Sequence, residues 1–199
     1  MKLDRIAYRL RQFWSAVQAV PDPADLELAK TYLNAAQTNL FLSMQVSEQA
    51  HSLQVFKQLY NHAQIVPGDV SLASSAQQPD LLVAALLHDV GKSRHPLHLW
   101  ERVIVVLAKA VAPERSRRWG GGQAADSAGL DIPPGVSAWR RPFVIAEQHP
   151  RWGAEMAAAA GVSQITASLI SRHQQKSTAE PVSLEDRLLV ELQAADRIY

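Results

Sequence analysis

The stretch Leu81-Leu82-Val83-Ala84-Ala85-Leu86-Leu87 is apolar on every side and runs straight into His88-Asp89-Val90-Gly91-Lys92. A helix with no polar face belongs in the middle of a bundle, covered by other helices. Residues 81–90 are therefore expected to form a buried helix, with Gly91 as its C-terminal cap. An adjacent His-Asp pair at the end of such a helix is a poor way to build a core. It is a good way to hold a cation, because burying each group uncompensated costs several kcal/mol.

The remaining pattern is helical nearly throughout. Ile6, Leu10, Phe13, Trp14 and Val17 form an apolar stripe, and Pro21-Asp22-Pro23 reads as its end. Residues 25–61 read as one long helical segment whose inward spacing passes through Met44, His51, Val55 and Leu59. Pro67, Gly68, a group of serines and Pro79 mark a loop over residues 63–79. An amphipathic helix is expected over 97–111. Residues 113–142, with Gly120-Gly121-Gly122, Pro133-Pro134-Gly135 and Pro142, read as a long loop insertion. Helical pattern resumes at Phe143, continues through 153–160, restarts behind a cap at Ser163, and ends in a helix opened by Ser183-Leu184-Glu185-Asp186, a capping-box pattern with aspartate in place of glutamate. No repeat and no strand is apparent. The expectation is an all-α helical bundle: an N-terminal amphipathic helix and linker over 1–24, then a helical domain over 25–199 carrying the insertion.

Composition narrows the function classes. Of the 199 residues 47% are apolar and 20% charged, the balance of an ordinary globular chain with one full core. A net charge of +1 gives no global attraction to nucleic acid or acidic lipid. With no cysteine, disulfides and thiolate chemistry are excluded, and any metal must be held by nitrogen and oxygen. Lys2, Asp4, Arg5, Arg9 and Arg11 interrupt the N-terminus, no later apolar run is long enough to span a bilayer, and a cytoplasmic protein is the expectation.

A lone histidine on a helix is more often a hydrogen-bonded core or surface residue than a ligand, and His62, His95 and His98 are read that way. His51, His88, His149, His173 and Asp196 differ in company. His51 shares the Met44, Val55, Leu59 face, His173 is in register with Ile165 and Leu169, and Asp196 with Leu189 and Leu192. His149 precedes Pro150 and is expected at a helix start or turn. Grouped around a cation, these residues compensate one another.

In order along the chain they resemble the HD-domain superfamily of metal-dependent phosphohydrolases. The pattern His…His-Asp…His…His…Asp is met by His51, His88-Asp89, His149, His173 and Asp196 over roughly residues 40–199. Contexts agree in Glu48-Gln49-Ala50-His51, Leu87-His88-Asp89-Val90-Gly91-Lys92, an HDIG-like motif with valine for isoleucine, and His149-Pro150-Arg151-Trp152-Gly153-Ala154-Glu155. The last resembles a turn of the branch that hydrolyses diadenosine tetraphosphate. The resemblance implies a helical bundle in which His51, His88, Asp89 and Asp196 hold a first ion. His149 and His173 would mark a second, and Asp89 would bridge both. The Gly-Tyr-Pro signature of the cyclic-di-GMP phosphodiesterase branch is absent, and His173 is followed by Gln174 rather than a second histidine.

The implied chemistry is hydrolysis of a phosphomonoester or phosphodiester in a small, nucleotide-like substrate by a metal-activated water. Iron or manganese suits the ligands best, with zinc, magnesium or nickel compatible. Lys92 reads either as a catalytic phosphate contact or as a cation favoured at a helix C-terminus, and Arg172 as a second phosphate contact. Arg115, Arg117, Arg118, Trp119, Arg140 and Arg141 could form a lid over a substrate, although a solvated insertion is the plainer reading. Two non-enzymatic alternatives stand beside this: a regulatory module that binds a nucleotide without turning it over, and a helical interaction protein with buried polar residues.

Overall fold

The computed structural model describes residues 19–65, 78–121, 131–175 apart from 133, and 181–197 apart from 182. The expected N-terminal helix lies outside this range, as do residues 66–77 of the loop expected over 63–79 and part of the expected insertion; residues 63–65 and 78–79 of that expected loop belong to helices instead. Among the described residues every regular element is a helix, and there is no strand.

Several of the helices begin where the sequence supplies acceptors for their first N–H groups. In α1 (Pro23–Lys30) Asp22 accepts from the Ala24 and Asp25 amides and Pro23 takes the first turn, so Pro21-Asp22-Pro23 starts a described helix. In α2 (Ala35–Leu42) Asn34 and Gln37 exchange reciprocal side-chain bonds at 2.9 and 3.1 Å. In α3 (Val46–Ile65) Glu48 accepts from the Gln45 amide. The single helix expected over 25–61 is thus three, because Asn34 and Glu48 each start a new one.

Helix α4 (Gln78–Leu87) is the buried centre, with Leu82, Ala84, Ala85, Leu86 and Leu87 between 0% and 2% exposed. It packs against α3, α8 (Gln164–Arg172) and α9 (Leu184–Asp196). Burying each of its leucines contributes about 2 kcal/mol. Ser163 caps α8 and the Ser183–Asp186 box caps α9, both as expected.

The end of α4 departs from expectation. The helix stops at Leu87, His88-Asp89 form a turn, and a 3-10 turn follows over Val90–Arg94. Gly91 does not cap with a left-handed backbone; the described positive-φ glycines are Gly135 and Gly161. Gly91 is there because the 3-10 turn lies against α7 (Arg141–Ala159): a Cβ would sit 2.0 Å from the His149 carbonyl oxygen and 2.6 Å from the Gly153 nitrogen.

Helix α7 also corrects the expectation for His149. The helix runs through Pro150, so His149 lies inside it and is buried rather than at a start or turn. Proline there forfeits one i→i−4 bond, and the buried neighbours Trp152, Ile145 and Val144 hold the helix in place. Helix α5 (Leu99–Val111) packs on α7 through Val105, Phe143 and Ala146. Part of the expected insertion is a further helix, α6 (Pro113–Gly120), whose Trp119 meets Phe143 edge-on at 5.0 Å.

Candidate metal centre

Six side chains from five helices converge beneath the end of α4. His51 comes from α3, His88 and Asp89 from the turn after α4, His149 from α7, His173 from the end of α8, and Asp196 from the last turn of α9. All six are the residues singled out from sequence. The imidazoles stand in a row, with ring centroids 5.3 Å apart for His51–His88, 5.2 Å for His88–His173 and 5.3 Å for His173–His149.

Orientation is fixed from behind. The Nδ1 atoms of His88, His149 and His173 donate to the carbonyls of Ala85, Ile145 and Ile170 at 2.9, 3.1 and 2.7 Å, each three or four residues earlier in the chain. That turns Nε2 inward in all three and, in the neutral His149 and His173, leaves it as the lone-pair nitrogen, the tautomer a metal-ligating histidine needs. The Nε2 atoms of His88 and His173 are buried without a hydrogen-bond partner among the described residues. An unpaired buried polar atom is costly and calls for a missing partner.

Asp89 divides the cluster. Its Oδ1 lies 3.2 Å from His149 Nε2 and 3.8 Å from His173 Nε2, while its Oδ2 lies 3.7 Å from His88 Nε2. Asp196 Oδ1 completes the second side, 2.9 Å from His51 Nε2 and 3.5 Å from His88 Nε2. Ligands of a first-row cation with bonds of about 2.1 Å stand about 3–3.5 Å apart. Two groups could therefore hold an ion, His51–His88–Asp89 and Asp89–His149–His173. Imidazole nitrogens mixed with carboxylate oxygens suit first-row divalent cations, and the orphaned nitrogens make the fit chemical as well as geometric.

Burial and charge act in opposite senses here. Burial lowers His88, but Asp89 and then Asp196 override it and carry the imidazole up to about 9. Burial lowers His149 to about 4 against the pull of Asp89. For His173 burial and then the charges of His88 and His149 bring it to about 3. Burial would raise the Asp89 carboxyl, yet the ammonium of Lys92 and the imidazoles of His88 and His149 hold it well below the usual carboxylate range. Burial would likewise raise Asp196, but the bond to His51 and the charge of His88 hold it far below.

Lys92 donates to Asp89 Oδ2 at 2.5 Å, so without a metal its ammonium neutralises that oxygen. The guanidinium of Arg172 is engaged elsewhere, at 2.8 Å from Glu185 and 2.7 Å from Asp186, and clasps α8 to α9. The basic residues of the expected lid divide. Arg141 pairs with the buried Glu101 at 2.6 Å and Arg140 donates to the Trp119 carbonyl, so both stitch helices together. Arg115, Arg117 and Arg118 are exposed on α6.

Other residues at the centre have weaker sequence signals. Glu48, buried one turn before His51, holds Arg102 at 2.7 Å; burial pushes its carboxyl up against the opposing charges of Lys92 and Arg102. The i, i+3 spacing of Glu48 and His51 was the available clue. Gln174 Nε2 stands 3.3 Å from His149 Nε2. His62 is exposed, His95 meets the Trp152 ring edge-on, and the His98 amide bonds Glu101 at the start of α5.

Comparison with protein-family models, curated proteins and solved structures returns no match. Among the described residues, no helix is long and apolar enough to cross a membrane.

Proposed function

We propose that this chain is a metal-dependent phosphohydrolase of the HD-domain type, cleaving a phosphomonoester or phosphodiester bond in a nucleotide-like substrate. The observation that carries this reading is Asp89, whose two oxygens face separate histidine groups as a carboxylate shared by two cations would. His51, His88, Asp89 and Asp196 would hold one ion, and Asp89, His149 and His173 the other, with iron or manganese the favoured metals. When bound, such cations supply Lewis acidity toward phosphoryl oxygens and lower the pKa of water toward neutrality.

The chain's own groups do the rest. Carbonyl-anchored imidazoles fix the ligand directions before any ion arrives, which removes reorganisation from the reaction. Lys92 is bound to the oxygen a cation would claim, and with that oxygen so engaged its ammonium would be available to a phosphoryl oxygen of the substrate. Hydrolysis puts the hydroxyl of water on phosphorus and its proton on the departing oxygen. Arg172 would have to leave two carboxylates to reach substrate, and its part in this scheme is to hold the end of α8, and so His173, in place.

The test is a panel of nucleotides and a generic phosphodiester offered to manganese- or iron-loaded protein. Turnover that disappears in His88→Ala with the fold intact is the expected result. Metal-loaded protein that binds a nucleotide and forms no product would replace this reading with a regulatory module.

A further inference from the structure

Helix α5 is amphipathic the wrong way round. At about 3.6 residues per turn, its charged residues Glu101, Arg102 and Lys109 fall on the half that carries Val105, the half turned to α7. Glu101 is buried against Arg141 at 2.6 Å, and Arg102 holds Glu48 at 2.7 Å. The other half is apolar along its whole length. Leu99, Trp100, Ile104 and Val111 are 44%, 57%, 41% and 71% exposed, and Val103 and Leu107 between them are partly exposed. A surface helix ordinarily turns its apolar stripe to the core. Here ion pairs hold the inner side and the apolar side faces out, a contiguous patch of the kind that marks a contact surface.

Helix α6 lies in the same layer. Phe143 of α7 packs with Val105 of α5 and also meets the Trp119 ring of α6, and a Cβ on Gly120 would sit 2.1 Å from the Phe143 carbonyl oxygen. Both helices therefore rest on α7 by one side and turn the other side away from it. On α6 that outer side carries Glu114, Arg115, Arg117 and Arg118, all exposed. Glu114 stands 3.7 Å from Arg117, which leaves the arginines in excess. Trp139, 55% exposed, meets the Trp119 ring edge-on at 5.6 Å.

We propose that the outer face of α5 and α6 docks the protein on the surface of an anionic bilayer. Acyl chains take the apolar side of α5, lipid phosphates and carboxylates take the arginines of α6, and the exposed indoles of Trp100 and Trp139 sit at the boundary between them. One partner of that chemistry answers both helices at once, whereas a purely apolar partner would leave the arginines unmet. The net charge of the chain is only +1, so the attraction is local to this face. With 13 residues α5 is too short to cross a bilayer and lies in the headgroup layer.

Full-length protein is sedimented with phosphatidylcholine vesicles and with vesicles in which about one lipid in three is phosphatidylserine. Wild type is expected to bind the phosphatidylserine vesicles alone and to leave them as ionic strength rises. Ile104→Asp places a charge in the middle of the apolar face and is expected to weaken binding about tenfold or more. Arg115→Gln combined with Arg118→Gln removes two cations, each contributing about fivefold at such a surface, and is expected to weaken it about twenty-five-fold. Thermal unfolding of the variants, whose substitutions are all at exposed positions, checks that the fold is intact. No binding by wild type, equal binding to both vesicle types, or full binding by Ile104→Asp overturns the proposal. Binding lost in Arg5→Gln with Arg9→Gln but kept in Ile104→Asp also overturns it and moves the lipid contact to the N-terminal stretch. A dimer without lipid that Ile104→Asp breaks, together with no vesicle binding, overturns it in favour of a second copy on this face.

Discussion

The two halves of the cluster share Asp89 and differ in almost everything else. His51 and Asp196 are 19% and 27% exposed, and the half they form with His88 is acidic enough to keep His88 protonated near neutral pH. His149 and His173 are 1% exposed, and burial keeps both neutral. The first half is wet and must release a proton before a cation can enter. The second is buried and its neutral imidazoles turn their Nε2 lone pairs inward, that of His173 without a partner among the described residues. On the proposed function, metal loading would be a proton exchange on one side and the filling of a formed site on the other.

The comparison breaks most completely at the residue both halves share. Asp89→Ala should abolish hydrolysis, by at least about three orders of magnitude in kcat/KM, because both cations lose a ligand at once. Initial rates against the best substrate of the panel measure it; a variant retaining a tenth of the activity would remove Asp89 from its bridging role. Next come the half-site variants. His51→Ala and His173→Ala should each leave about one equivalent of tightly bound metal, read by elemental analysis. Loss of both ions in either variant would mean that the halves do not bind independently.

Proton exchange sharpens the contrast at smaller amplitude. Manganese titrations at pH 7 in buffers of different ionisation enthalpy should show release of about one proton per chain, from His88. In metal-free protein the raised His88 contributes stability that is full below about pH 6.5 and lost as pH rises through about 9. The lowered His149 and His173 act in the opposite sense, and their contribution is lost as pH falls from about 6.5 toward 4 and 3. The Tm of the metal-free protein should thus peak near pH 6.5 and fall on both sides, and the Tm gain on adding manganese should grow toward pH 9. A flat profile between pH 6 and 9 would contradict the protonated His88. The smallest expected effect lies away from the ligands: Ser183→Ala removes the cap of α9, the helix that carries Asp196, and should cost about 1 kcal/mol in denaturant unfolding with metal stoichiometry unchanged.

The all-α fold and the six converging residues were legible in the sequence because burying so many ionisable groups makes sense only if they meet. The Ser163 and Ser183 caps were legible for the same local reason that they work. What escaped was context. Asn34 and Glu48 start new helices inside an apolar pattern that looks continuous, since the hydrophobic spacing carries across both breaks. Gly91 looks like a cap, and only the His149 carbonyl packed against it explains the missing side chain. Pro150 suggested a boundary, but tertiary packing holds α7 through it. Arg172 read as a phosphate contact, and Arg140 and Arg141 as part of a solvated insertion or a lid, because their partners, Glu185 and Asp186, the Trp119 carbonyl and Glu101, are far enough away in sequence to be invisible.

The claim beneath all of this is that one carboxylate organises two cation sites. Calorimetric titration of metal-stripped protein with manganese, on wild type and Asp89→Ala in parallel, tests it most directly. Two equivalents per wild-type chain and no tight binding by the variant is the expected result. One equivalent or none in wild type, or two retained without Asp89, would contradict it.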